Sequence, residues 1–155
     1  VRDYIFVAAT LAYLDPRLAR ETLLYASRMR EESTHDLVYA TANFGQLNKA
    51  GIHQHPSDLD LFFMWGVAEY VFATGDTSIL DAQEPYWPRS QSHKRPVWQH
   101  LSDGAASLQQ HVGVGAHGLL RVGDGDWDDG IIFNAKDRTT AQQDGESVAN
   151  SAMAT

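Results

Sequence analysis

Two stretches of this chain leave a helix no polar face to turn toward water. Ile5, Phe6, Val7, Ala8, Ala9, Leu11, Ala12 and Leu14 spread around every direction of a helix from Arg2 to Leu14. Between Asp58 and Thr74, Leu59-Asp60-Leu61-Phe62-Phe63-Met64-Trp65 and Val71-Phe72 do the same. A helix apolar all round is expected to be covered all round. The two helices that alternate with them read differently. Asp15 and Pro16 suit the cap and first position of a helix running to about Glu32. It gathers Leu18, Ala19, Thr22, Leu23, Ala26 and Met29 on one side and Arg17, Arg20, Glu21, Arg28 and Glu31 on the other. Pro96 opens a fourth helix, in which Val97, Trp98, Leu101, Ala105, Leu108 and Val112 fall within an arc of about 100°, with Gly104 as its weak point. An order of buried, amphipathic, buried, amphipathic is what a ring of helical hairpins requires, the inner helices covered and the outer ones facing water. In a simple four-helix bundle all four would be similarly amphipathic. The expected fold class is therefore all-α, a partial (α/α) helical toroid with long loops at one rim.

Smaller signals fill in the connections. Ser57, with Asp60 three residues on, resembles a capping box, and Gly75 suits a stop for the third helix. Glu69 is the polar exception in its later turns, and is expected to pair with an arginine or the backbone. The polar connection from Ser33 to Pro56 carries His35, His53 and His55, and one that long inside a compact domain is usually functional or flexible. His53-Gln54-His55 has a strand spacing and no adjoining carboxylates. A sugar-hydroxyl contact or solvent exposure is expected there, and no metal. Gly113-Val114-Gly115-Ala116-His117-Gly118 lacks the lysine and following helix of a phosphate loop. Leu119 to Val122 suits a short strand, and a helix of small residues is expected from Glu146 to Thr155.

That strand leads into Val122-Gly123-Asp124-Gly125-Asp126-Trp127-Asp128-Asp129-Gly130, where four carboxylates and three glycines surround one tryptophan. The glycines let the backbone turn sharply and approach a ligand, and no basic residue lies within the stretch. Repulsion among clustered carboxylates is expected to raise the pKa of at least one, as a general acid working near neutral pH requires. Trp127 offers a flat platform for a sugar face. A calcium loop fits less well: Asp124, Asp126 and Asp128 alternate as cation ligands do, but Asp129 stands where such a loop needs glycine and Ala135 where it needs a bidentate glutamate.

Composition narrows the partners. A formal net charge of −8 argues against nucleic acid or an anionic membrane surface, since no basic patch exists to neutralise phosphates. The absence of cysteine rules out disulfides and thiolate metal sites. No stretch is apolar for long enough to span a bilayer. A cytoplasmic location is expected.

The loop also carries a resemblance. Gly125-Asp126-Trp127-Asp128-Asp129-Gly130, followed by Gly145-Glu146-Ser147-Val148, resembles two signatures of the cellobiose and chitobiose phosphorylase family. Ala68-Glu69-Tyr70, Ala73-Thr74-Gly75-Asp76, Ser78-Ile79-Leu80-Asp81 and Pro85-Tyr86 are similar to that family's segment upstream of its acid loop. Asp128 replaces the family's asparagine, Ser57-Asp58-Leu59 its paired aspartates, and an apolar residue near Val7 a further aspartate. The resemblance implies a six-hairpin glycosidase-type catalytic domain, of which residues 1–155 are a fragment of somewhat under half. It implies inverting phosphorolysis of a β-linked disaccharide or oligosaccharide with Asp129 as general acid. Trp127, Asp126, Arg2, Asp3, Asp58 and Glu146 are the expected substrate-binding residues. No cofactor is implied beyond inorganic phosphate as co-substrate. The remainder of the domain or a second copy would cover the apolar helices.

An inverting hydrolase of the same fold would need a second carboxylate ~6.5–9.5 Å from the acid, for which Glu146 or a residue past Thr155 stands. A non-catalytic carbohydrate-binding fragment would use Trp127 and Trp65 without turnover.

Overall fold

The computed structural model describes residues 1–42, 47–50, 53, 56–89 and 93–155. Four longer helices, α1 (Arg2–Leu11), α2 (Pro16–Ser27), α3 (Leu59–Thr74) and α4 (Val97–Ser107), organise it. α1 packs on α2 and α3, and α3 on α4, so that two helical hairpins lie side by side, as in a partial all-α toroid. Between them sits a core that includes Ile5, Leu23, Met29, Leu59, Phe63, Val67 and Ile79. Each large apolar side chain buried there is worth about 1.5–3 kcal/mol relative to exposure. At the α1–α3 crossing Gly66 admits Ile5: a Cβ there would lie 2.5 Å from the Ile5 side chain.

The helix starts follow local chemistry. Asp15 caps α2 by accepting from the Leu18 N–H at 3.1 Å, with Pro16 next. Gly75 ends α3 at φ 70°, a conformation glycine adopts without strain. The capping box expected at Ser57 and Asp60 does not form. The Ser57 hydroxyl donates to the carbonyls of Val122 and Gly125, and Asp60 turns inward to Arg30. α2 stops at Ser27 instead of near Glu32, because Arg30 enters a bridge with Leu37 and sends its side chain into the core.

The inner helices are covered only in part. α1 buries Ile5, Ala8 and Ala9, yet Phe6 is 57% and Val7 52% exposed, and on α3 Phe72 is 84% exposed. α2 and α4 take up one side of this pair, and the other faces solvent. Glu69 accepts from the Tyr13 hydroxyl, not from an arginine.

α4 departs further from expectation. Its buried face carries Val97 from the expected apolar stripe but also His100, Asp103, Gly104 and Ser107, while Trp98, from the same stripe, is 62% exposed. The polar residues are drawn in by specific partners. His100 Nε2 meets the Glu84 carbonyl at 3.1 Å, Asp103 accepts from Tyr86, and Ser107 donates to Asp36 at 2.9 Å. Trp98, Leu101 and Ala105 of the stripe border a groove of about 480 Å³ shared with Met64, Val71 and Phe72 of α3.

Strand structure is slight. β1 (Ala40–Ala42) pairs antiparallel with β2 (Leu47–Ala50) inside the connection read as a loop, and β3 (Gln83–Pro85) pairs with β4 (Lys94–Pro96). The strand expected at Leu119 to Val122 contributes only bridges, Leu120 to Val114 and Arg121 to Glu146. Three short helices close the chain: α5 (Gly130–Phe133), α6 (Arg138–Asp144) and α7 (Val148–Met153), the last capped by Ser147.

Candidate active site

Arg2, at the start of α1, ties the acidic loop to the rest of the molecule. One guanidinium nitrogen, Nη1, donates to Asp58 Oδ2 at 2.6 Å and to the Asp126 carbonyl at 2.9 Å, and Nη2 donates to Asp129 Oδ1 at 2.6 Å. A planar fork can span two carboxylates in this way, where an ammonium would act as a single point charge. Tyr39 completes the carboxylate's anchoring by donating its hydroxyl to Asp129 Oδ2 at 2.9 Å, and its ring lies under Arg2. Four separated segments thus meet at Asp129: the start of α1, Tyr39 just before β1, the entry to α3 and the loop.

The loop is held rigidly. Asp126 is 4% exposed, its Oδ1 accepting from the Asp128 N–H at 2.9 Å and its Oδ2 from the Ser147 hydroxyl at 2.7 Å. Ser57, also buried, receives an Asn150 N–H at 2.8 Å while clamping two loop carbonyls. Asp128 turns back onto the Gly130 N–H at 3.0 Å. Against this frame Trp127 stands 59% exposed, and the Asp129 side chain keeps 38% of its surface open.

The electrostatics correct one expectation. Burial disfavours the Asp129 anion, but the Arg2 and Tyr39 hydrogen bonds and the nearby charges outweigh it, so this carboxyl sits below the usual carboxylate range. Mutual repulsion does not govern it, because Arg2 supplies the cation missing from the loop's own sequence. The carboxyl that is pushed up is Asp58, where burial exceeds the opposing pull of Arg2. Tyr39 is raised as well, by burial and then by the adjacent Asp129. For Arg2, burial works against the charge, and the bonds to Asp58 and Asp129 hold the guanidinium protonated.

The expected site residues therefore separate. Arg2, Asp58, Asp126 and Asp129 come together beside Trp127, with Asp126 turned inward as a pin of the loop. Asp3 lies exposed on the first turn of α1. Glu146 is elsewhere engaged: it accepts the His117 N–H at 2.9 Å, faces His117 Nδ1 at 3.2 Å, and packs against Gly115.

His53 is 1% exposed, which corrects the expected solvent exposure, and His55 lies outside the described residues. Among the described residues no three His, Asp or Glu side chains converge where a cation could sit. Tyr39 escaped the sequence reading. Its signal is a short apolar run, Leu37-Val38-Tyr39-Ala40, within a polar connection. A larger cavity of about 870 Å³ lies on another flank of the loop, bordered by Gly123 and Asp124 together with Asp36, Asp103, Ser107 and His111. Neither Asp129 nor Trp127 lines it.

The family model for the catalytic domain of the glycosyl hydrolase 94 superfamily matches residues 2–154. A comparison with curated proteins finds no match.

Proposed function

The chain belongs to the glycosyl hydrolase 94 superfamily, and from that membership we propose that it forms part of an inverting glycoside phosphorylase in which Asp129 is the general acid. The observation that supports this reading is a loop carboxylate fixed at both oxygens, by Arg2 and by Tyr39, while still open to solvent beside an exposed tryptophan. A general acid needs that combination of fixed direction and access to the substrate oxygen.

In the proposed reaction a phosphate oxygen attacks the anomeric carbon from the face opposite the glycosidic bond. The bond between that carbon and the leaving oxygen breaks, and the Asp129 proton passes to the leaving oxygen. Inorganic phosphate is the nucleophile, so one protein carboxyl suffices. Arg2 then acts on the carboxylate that remains, stabilising the charge Asp129 acquires as it loses its proton. The same pairing keeps Asp129 ionised in the free site. Protonation must accompany substrate binding, when sugar hydroxyls compete for the Arg2 donors and water is excluded. Trp127 supplies the stacking surface for the sugar and Asp58 holds the far side of the Arg2 fork. The partners are an oligosaccharide and phosphate.

Product analysis on an enzyme containing this chain tests the reading. With phosphate present, a sugar-1-phosphate of inverted anomeric configuration is expected. Free reducing sugar formed without any demand for phosphate would replace the phosphorylase with a hydrolase, and sugar binding without turnover would leave only a carbohydrate-binding module.

A further inference from the structure

One buried group at the site has no role in that mechanism. His53 is 1% exposed, and among the described residues neither ring nitrogen has a hydrogen-bond partner. A buried polar group left in that state is destabilising, so its place calls for a compensating function. The surroundings fix its ring on several sides. Tyr39 meets it edge-on with ring centres 5.1 Å apart, and Phe133 of α5 lies tilted against it at 5.3 Å. Gly125 presses on it so closely that a Cβ there would come within 2.5 Å of Cε1 and 2.7 Å of Nδ1. A loop residue with any side chain would displace the ring, which gives Gly125 a reason beyond turning the backbone.

Held in this way, the ring directs Nε2 to 3.5 Å from Asp129 Oδ1 and leaves Nδ1 4.0 Å from Asp124 Oδ1. We propose that His53 is a positioning residue for Asp129, an imidazole whose Nε2 forms a third anchor on the carboxylate beside Arg2 and Tyr39 and closes to hydrogen-bond length as the acid works. The proposal rests on the acid reading above for its catalytic meaning, but the pairing itself does not. At 3.5 Å the contact is long for a hydrogen bond and short for two groups that ignore each other. Catalytic contacts of this kind often tighten only in the substrate complex. The groups facing the imidazole are Asp129 and Asp124 from the loop and the Tyr39 ring, with Arg2 beyond Asp129. The positive charge of a protonated His53 is among the influences that favour the Asp129 anion.

The pairing is reciprocal and can be read from either side. In the 155-residue chain, carbon-13 titration of the Asp129 carboxyl in His53→Phe, which keeps an aromatic ring but no nitrogen, should move its midpoint upward. In Asp129→Asn, which keeps the size of that side chain, the nitrogen-15 shifts of the His53 ring should change, because Nε2 has lost the carboxylate it faces. His53→Gln can return an N–H donor near Nε2 and should recover the carbonyl-region chemical shift of Asp129 without recovering the charge effect. If the His53 nitrogen-15 shifts are unchanged in Asp129→Asn, no coupling exists and the proposal is overturned, whether or not His53→Phe folds. In the active enzyme, His53→Phe should lower kcat on ordinary glycosides by about tenfold or more while KM changes little. Coupling by titration, together with glycoside cleavage indifferent to Asp129→Asn, would uphold the pairing and remove the acid reading instead.

Discussion

Gly104, by its residue type, is a defect in α4 that alanine should repair. The surroundings reverse that expectation. An alanine Cβ at this position would lie 2.5 Å from Asp60 Oδ1 and 2.9 Å from Arg30 Nη2, the two ends of a buried ion pair that itself spans 2.5 Å. Ordinary contact begins near 3.4 Å, so the pair would have to retreat by roughly 0.9 Å into a packed interior. Arg30 is fully buried, its Nε already lacks a partner among the described residues, and its Nη1 is committed to the His35 carbonyl. Alanine gains about 1 kcal/mol in helix propensity. Separating a buried pair costs about 3–5 kcal/mol, so Gly104→Ala should destabilise the fold by roughly 2–4 kcal/mol. Urea denaturation followed by circular dichroism measures this directly. With Arg30→Met and Asp60→Leu in place the clash is with flexible apolar atoms, and the same alanine should become neutral or favourable by up to about 1 kcal/mol. A Gly104→Ala protein more stable than the parent would refute the reasoning, since it would show that the pair tolerates the methyl group.

Two further outcomes are expected. Burial pushes His100 down to about 4, so the folded state resists a proton that the unfolded chain accepts. Stability should therefore fall as pH drops from about 6.5 toward 4, by up to about 3 kcal/mol. The slope should flatten in His100→Phe, and an unchanged slope in chemical denaturation at several pH values would count against it. The exposed faces formed by Phe6, Val7, Tyr13 and Leu14, and by Phe72 and Trp98, should drive association of the chain or its pairing with a complementing chain. A monodisperse monomer in light scattering at tens of micromolar would contradict this.

What could be read from the sequence was local. The existence and type of α1 to α4 followed from apolar density and from caps such as Asp15 and Gly75, because those signals lie within one or two turns. The acid loop was legible for the same reason, its carboxylates and Trp127 being adjacent in the chain. The site's electrostatics were not, since the cation that governs Asp129 lies 127 residues away in sequence at Arg2 and the second anchor 90 residues away at Tyr39. Most of the buried face of α4 beyond Val97 was illegible for a related reason. An apolar stripe predicts burial only when the neighbouring surface is apolar, and here Asp36, Arg30, Asp60, Glu84 and Tyr86 line that surface and select His100, Asp103, Gly104 and Ser107. Ser57 misled in turn, because a hydroxyl suited to capping a helix is equally suited to clamping two carbonyls of a distant loop.

The central claim is that Asp129 gives a proton to the leaving oxygen. Asp129→Asn keeps the size of the side chain and an oxygen for Arg2 or Tyr39, but it has no proton to give. In an active enzyme carrying this chain, cleavage of an ordinary glycoside should fall by roughly 10²–10⁴-fold, while a glycosyl fluoride, whose leaving group needs no protonation, should lose far less. An equal loss on both substrates would make Asp129 a structural member of the Arg2 network and would move the acid elsewhere.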